Sequence, residues 1–282
     1  MTLILGMSKP EGIYLSVDYR VTDARTQALV DDASVKSLTV HYPPLDNGGP
    51  KVLMGFTGVA ILPDGTPTMT WVRETLRGET EVIDQSMAHL RARLNRDMAR
   101  LRAPLIINVL VLEKDRRLFG GLSNISRSPV GQVSVAREFG YVMRELDDWS
   151  MFANGSGAEV ALTGGHLARL QPHLGVVPRE PVNHMKLLAT INRRIATNDR
   201  RVSPFCHVSF INADDRFGPT SRAFVENGES APFNMSMLLG GIDLTEMMSD
   251  FMNHSQAFFN GEISELPEPD PAEMNERLKR RP

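Results

Sequence analysis

The first eighteen residues constrain this chain more than any other stretch. Met1-Thr2-Leu3-Ile4-Leu5-Gly6-Met7 leads through Lys9-Pro10-Glu11-Gly12 into Ile13-Tyr14-Leu15-Ser16-Val17-Asp18. Two strand-forming runs around a Pro/Gly-bearing turn are the signature of a β-hairpin. With Lys9-Pro10-Glu11 as a three-residue loop, Leu3 faces Val17, Leu5 faces Leu15 and Met7 faces Ile13, so these apolar pairs share one face. Side chains alternate along a strand, and a slip of one residue would break that segregation. This register sets Thr2 opposite Asp18, a hydroxyl beside a carboxylate at the end of an otherwise apolar strand.

The pattern beyond the hairpin predicts a layered α/β chain. Residues 34–41 alternate as a strand, and Lys51 to Ile61 form another that carries Gly55 and Gly58. Val82, Met87, Leu90, Leu94, Met98 and Leu101 mark an amphipathic helix over 80–102, which Pro104 stops. Leu105 to Leu112 is the most continuous apolar run and is predicted to be a central strand. Short strands are predicted at 119–123, 132–135, 141–144 and 148–153, then helices over 158–174 and 182–197. Strands return at 206–212 and 221–225, and a last helix at 244–259 precedes a Pro/Glu-rich tail. Strand runs followed by helix runs argue for packed sheets with helices outside rather than a βαβ repeat.

Composition excludes several classes of function. A net charge of -3 gives no basic footprint for nucleic acid. The single cysteine, Cys206, rules out an internal disulfide framework and fits a reducing, cytoplasmic setting. No apolar stretch is long enough to predict a membrane span, and the N-terminus has no secretory pattern. The seven histidines show no metal-ligand spacing, and no phosphate-binding or dinucleotide loop is present, so neither metal nor cofactor is expected. No nucleophile-elbow motif supports a Ser-His-Asp triad.

Thr2 is what remains. Once Met1 is removed, its hydroxyl is a nucleophile and its own α-amine a general base. A free α-amine has a reference pKa of about 7.7–8.0, near working pH. Lys36 on the third strand can lower that value by like-charge repulsion, and Asp18 can hold Lys36 charged. Spacing alone equally fits a strand end, a turn-side carboxylate and a solvated lysine.

These stretches resemble the proteasome β-subunit family and its bacterial relatives, which are N-terminal-nucleophile hydrolases. Thr2-Leu3-Ile4-Leu5-Gly6 with the Asp18-Tyr19-Arg20-Val21-Thr22 segment is similar to the opening of those subunits, and Val35-Lys36-Ser37-Leu38 to the strand bearing their lysine. Met54-Gly55-Phe56-Thr57-Gly58 resembles the strand whose glycine amide forms the oxyanion hole. Asn154-Gly155-Ser156-Gly157 resembles the motif whose serine contacts the terminal amine, and Asn198-Asp199 with Ser203-Pro204 the residues completing that shell. The likeness runs from Thr2 to Ile211, with departures: Val59-Ala60 stand where an acidic residue is common, and 214–282 has no counterpart in the family. The Asp18-to-Lys36 gap is slightly long, and Asp199 and Ser203 are four apart where three is usual.

The resemblance implies an α+β fold, a four-layer αββα sandwich of two antiparallel sheets, formed by residues 1–213. Residues 214–282 are expected to add a strand/helix element and a mobile tail. It further implies a threonine-type endopeptidase with Thr2 as nucleophile, Asp18 and Lys36 as its electrostatic support, and Gly55 N–H as oxyanion donor. Ser156, Asp199 and Ser203 would orient the amine, and the backbones of Thr22 and Thr57 would pair with an extended peptide substrate. A ring or helical homo-oligomer is expected, with an ATPase or other regulatory partner left open. The alternatives are a small-molecule amidase or acylase on the same fold, and a non-catalytic scaffold subunit that keeps Met1.

Overall fold

A computed structural model describes residues 2–22, 29–31, 35–44, 48–79, 82–114, 116–127, 133–170, 180–214, 218–225, 230–232 and 236–245. In chain order its elements are β1 (Leu3–Lys9), β2 (Gly12–Asp18), β3 (Val21–Thr22), β4 (Leu29–Asp31), β5 (Ser37–His41) and β6 (Lys51–Gly58). Next come α1 (Thr68–Leu76), α2 (Ile83–Asp97), β7 (Leu105–Glu113), β8 (Arg116–Arg127), β9 (Val133–Glu145) and β10 (Met151–Gly155). The remainder is α3 (Ala158–Thr163), α4 (His166–Leu170), α5 (Pro181–Ala196), β11 (Cys206–Asn212), β12 (Thr220–Phe224), β13 (Ser230–Pro232), β14 (Met237–Leu239) and β15 (Ile242–Asp243).

Two sheets carry the fold. One has six strands in the order β10-β1-β2-β11-β12-β13, and the other seven in the order β15-β14-β5-β6-β7-β8-β9. Neighbours pair antiparallel except β14 with β5. Three apolar layers hold the stack. Ile4, Ile13, Leu15, Val17, Leu53, Leu110, Leu112 and Ile211 pack between the sheets. Leu3, Leu5, Met7 and Val208 pack against Met185, Leu188 and Ile191 of α5. Met54, Phe56, Ile107 and Val109 pack against Val72 of α1 and Met87, Leu90 and Leu94 of α2. The arrangement is αββα, as the motifs implied. Strands β12 to β15, from the part set apart at 214–282, are laid into both sheets.

The hairpin register is shifted by one residue from the predicted one. Ile4 faces Val17, Leu5 faces Ser16 and Met7 faces Tyr14, with a two-residue turn at Pro10-Glu11. The cause is burial on both faces. Leu3, Leu5 and Met7 pack under the helices while Ile13, Leu15 and Val17 pack between the sheets, so apolar matching cannot choose the register. Lys9 does so: assigned to the loop, it is the last residue of β1 and fully buried. Its ammonium contacts His184 Nε2, pairs with Glu11 at 3.1 Å and lies 4.7 Å from the Trp149 ring.

Other elements differ from the pattern-based reading. Helix α1 was not foreseen; it has only nine residues, with Met69, Trp71, Val72 and Leu76 buried among threonines. The helix over 158–174 is broken at Gly164-Gly165 into α3 and α4, and residues 171–174 lie outside the described residues. The short strands predicted at 119–123 and at 132–135 with 141–144 fall in the long β8 and β9, apart from residue 132, which lies outside the described residues. Apart from Leu244 and Thr245, the last predicted helix and the tail lie outside the described residues.

Candidate active site

Thr2 precedes β1, Asp18 ends β2 and Lys36 precedes β5, so three strand ends converge where the two sheets meet. All three residues are buried, Thr2 at 1% exposure and the others at 0%. Lys36 Nζ donates to Thr2 Oγ1 at 2.8 Å and to Asp18 Oδ1 at 3.2 Å, and it also donates to the Arg20 carbonyl. The other Asp18 oxygen accepts the Ser203 N–H at 3.0 Å. Burial pushes the Asp18 carboxyl up to about 6, against the pull of the Lys36 ammonium and the Ser203 amide. The carboxylate therefore titrates close to neutrality while its partner cation sits on the threonine hydroxyl.

The carbonyl of Thr2 is held from the opposite side. Ser156 N–H donates to it at 3.1 Å and Thr57 Oγ1 at 3.4 Å. Gly155, at φ +92°, lies so near that an added Cβ would sit 1.8 Å from that oxygen. Only glycine lets β10 approach Thr2 this closely. The Ser156 hydroxyl is buried with no hydrogen-bond partner among the described residues.

Of the outer residues, Ser203 anchors Asp18, and its hydroxyl accepts the Phe205 N–H at 3.2 Å. Asp199 is committed to Arg201, accepting from its backbone N–H at 3.0 Å and from its guanidinium at 2.8 Å. Burial raises the Asp199 carboxyl, but Arg201 more than offsets this and holds it below the usual carboxylate value. Arg201 reaches the Ser156 carbonyl at 3.4 Å, which links this turn to β10.

Two expectations on β6 need correction. Donors alternate along a strand, and Phe56 N–H goes to the Lys36 carbonyl while Val59 N–H goes to the Pro104 carbonyl. Gly55 and Thr57 therefore direct their amides toward β7, where they pair with Asn108 and Ile106. A Cβ on Gly55 would meet Val17, Ile4 and Leu15 side chains, in the apolar layer. Gly55 is thus not placed as an oxyanion donor. The Thr57 backbone is likewise unavailable to a substrate strand, although its hydroxyl serves Thr2. The N–H of Gly58 points the other way, toward the side of Lys36 and beyond Ser37, the first residue of β5, which pairs with Gly55. Gly58 has φ +107°, and it follows Thr57 directly. The second glycine of the same motif, picked out by strand alternation, was the overlooked signal. Thr22 lies in β3 opposite Leu29.

Two further residues support the site and were not singled out. Arg20 donates to the carbonyls of Arg200 at 2.8 Å and Val202 at 3.1 Å, pinning the turn before Ser203. His207, fully buried on β11, contacts Ser37 Oγ through Nε2 and joins the two sheets beside Lys36. Burial and the Lys36 charge push its imidazole down to about 3, so it is neutral at working pH.

Among the described residues no three His, Cys, Asp or Glu side chains gather as a metal site, and no helix is long and apolar enough to cross a membrane. No family model matches the chain, and no curated protein does either. The chain is similar to a solved structure described as a Gly-1 mutant of Anbu from Hyphomicrobium sp. strain MC1. The two share 14% identity over 96% of this chain and 100% of that one, with a TM-score of 0.48.

Proposed function

We propose that this chain, once Met1 is removed, is a threonine-type hydrolase of peptide bonds. The observation that carries this reading is the Lys36 ammonium 2.8 Å from Thr2 Oγ1 and paired with a buried Asp18. Because Lys36 donates to that oxygen, the hydroxyl's own proton is left to travel to the Thr2 α-amine. Oγ then bonds to the substrate carbonyl carbon, and the carbonyl oxygen becomes an anion facing Gly58 N–H. One such donor is worth about 3 kcal/mol in the transition state. Collapse breaks the C–N bond, the ammonium returns its proton to the leaving amine, and an ester to Thr2 remains. Water, deprotonated by the same amine, hydrolyses the ester and restores both groups. A homo-oligomer enclosing the site is part of this reading and rests on the family resemblance alone.

The alternative is a structural subunit, since a chain that keeps Met1 has no free threonine amine. Intact mass and labelling with a threonine-directed electrophile decide between them. Loss of one methionine, labelling at Thr2, and peptide hydrolysis abolished by Thr2→Ala with unchanged circular dichroism are expected. A retained methionine, or Thr2→Ala at wild-type turnover, overturns the hydrolase.

A further inference from the structure

A second recognition surface lies along the far side of β10. The six-stranded sheet ends at this strand, and the seven-stranded sheet runs on beneath it: Asn154 donates to Asn108 of β7 at 2.6 Å, and Phe152 stacks on Phe119 of β8 at 3.7 Å. β9 therefore extends past the covering layer, and Val142 is 69% exposed. A groove of about 570 Å³ follows this step. Gly121 and Gly140 hollow its floor, Ile106 and Val142 supply apolar lining, and Arg144 stands 5.6 Å over the Phe119 ring at one end. The opposite end reaches Asn154, next to Gly155 and the Thr2 carbonyl.

At Asn154 the groove meets β10, whose far side is an open strand edge. Ser156 N–H and Ser150 C=O are given to β1, so by alternation the amide and carbonyl groups of Met151 and Ala153 point outward. Both residues are partly exposed, and among the described residues these groups have no hydrogen-bond partner.

We propose that the groove binds an extended polypeptide as an added strand on β10, with an apolar side chain over the glycine floor and a carboxylate at Arg144. Backbone donors and acceptors spaced like a strand recognise another strand rather than a compact ligand. The cation at one end sets the charge of the residue that reaches it. The groove runs toward Thr2, so, resting on the hydrolase reading above, its occupant is a stretch of the substrate chain outside the cleavage cleft. The enzyme then prefers unfolded segments that carry an acidic residue next to apolar ones.

The test is binding to the full-length Thr2→Ala protein, which needs no turnover. The probe is a fluorescein-labelled decapeptide of alternating valine and serine with one aspartate, and the comparison is the same peptide with arginine at that position. Fluorescence anisotropy should show the aspartate peptide bound, and hydrogen exchange should slow at Met151 and Ala153 when it is added. Gly140→Phe places a ring in the hollow, where an added Cβ meets nothing nearer than 3.9 Å. It should weaken binding about tenfold or more, while Gly140→Ala should not. Arg144→Glu should reverse the preference between the two peptides. Unchanged affinity in Gly140→Phe, or no protection at the two amides, overturns the proposal. So does self-association of the protein that Gly140→Phe abolishes, because a second copy would then be the occupant. Binding with protection but no hydrolysis by the wild type would leave the groove standing and remove only the hydrolase reading.

Discussion

The Lys36 ammonium donates to Thr2 Oγ1, Asp18 Oδ1 and the Arg20 carbonyl, so the cation is fixed by groups from two strand ends. Its partner Asp18 has a carboxyl pushed up to about 6 by burial. The proposed mechanism requires both a charged Asp18 and a neutral amine. With an amine value near its reference of about 8, the logarithm of kcat/KM should rise with slope one between about pH 6 and 8. Below about pH 6 the slope should steepen to two as Asp18 takes up a proton; in Asp18→Asn the residual activity should keep slope one throughout. A wild-type profile that stays at slope one would remove Asp18 from the mechanism. His207 is the other residue to test, because its contact with Ser37 braces the strand that follows Lys36. His207→Leu should lower kcat about tenfold with KM unchanged, the signature of an interaction needed in the transition state. His207→Gln, which keeps a hydrogen-bonding nitrogen, should recover part of that loss. Thr2, Asp18 and Lys36 were legible as a hydroxyl, a carboxylate and an ammonium that come together. His207 was not, since one histidine in an apolar strand carries no spacing signal.

At the scale of elements, what could be read was what a single period dictates. Strand β11 matches its predicted bounds, and β7 and α5 nearly so, because each is a continuous or clearly amphipathic run. The hairpin register could not be read, since both faces of β1 and β2 are buried and alternation no longer discriminates. The close approach of β10 to Thr2 was hinted at by Gly155, and its energetic weight can be isolated. Gly155 and Gly65 have nearly the same backbone angle, φ +92° and +90°, yet an added Cβ strikes the Thr2 carbonyl in one case and open space in the other. Gly65→Ala should cost about 1 kcal/mol or slightly more from the left-handed conformation alone, with turnover unchanged. Gly155→Ala should cost clearly more by urea denaturation and should lose turnover, because β10 can stay in place only if Thr2 moves. Equal costs for the two variants would show that β10 does not position the nucleophile.

For the molecule as a whole, the layer between the sheets changes character from one end to the other. Toward the hairpin turn it is largely apolar, with Ile13, Leu53, Leu110, Leu112 and Ile211 interleaved, and edged by Arg117 and Lys51 donating to the backbone carbonyls of Lys9, Pro10 and Asn212. Toward the strand ends that carry the site, hydrogen bonds between buried side chains join the sheets. Lys36 reaches Thr2 and Asp18, Ser37 reaches His207, Thr57 reaches the Thr2 carbonyl, and Asn154 reaches Asn108. Apolar packing supplies stability without direction, whereas hydrogen bonds supply direction at a modest net gain. The two ends should therefore respond differently to truncation. Leu110→Ala should lower unfolding free energy by about 2–5 kcal/mol yet leave kcat/KM unchanged at temperatures where the variant is folded. Asn108→Ala leaves the Asn154 amide without its partner, a loss of about 1–3 kcal/mol. It should reduce kcat/KM more than its stability cost suggests, because Asn154 precedes the glycine against Thr2. Paired urea titrations and peptide hydrolysis assays on both variants measure the contrast. If Leu110→Ala loses turnover in step with stability, the sandwich acts as one rigid block, and the distinction between a packed end and a steering end is wrong.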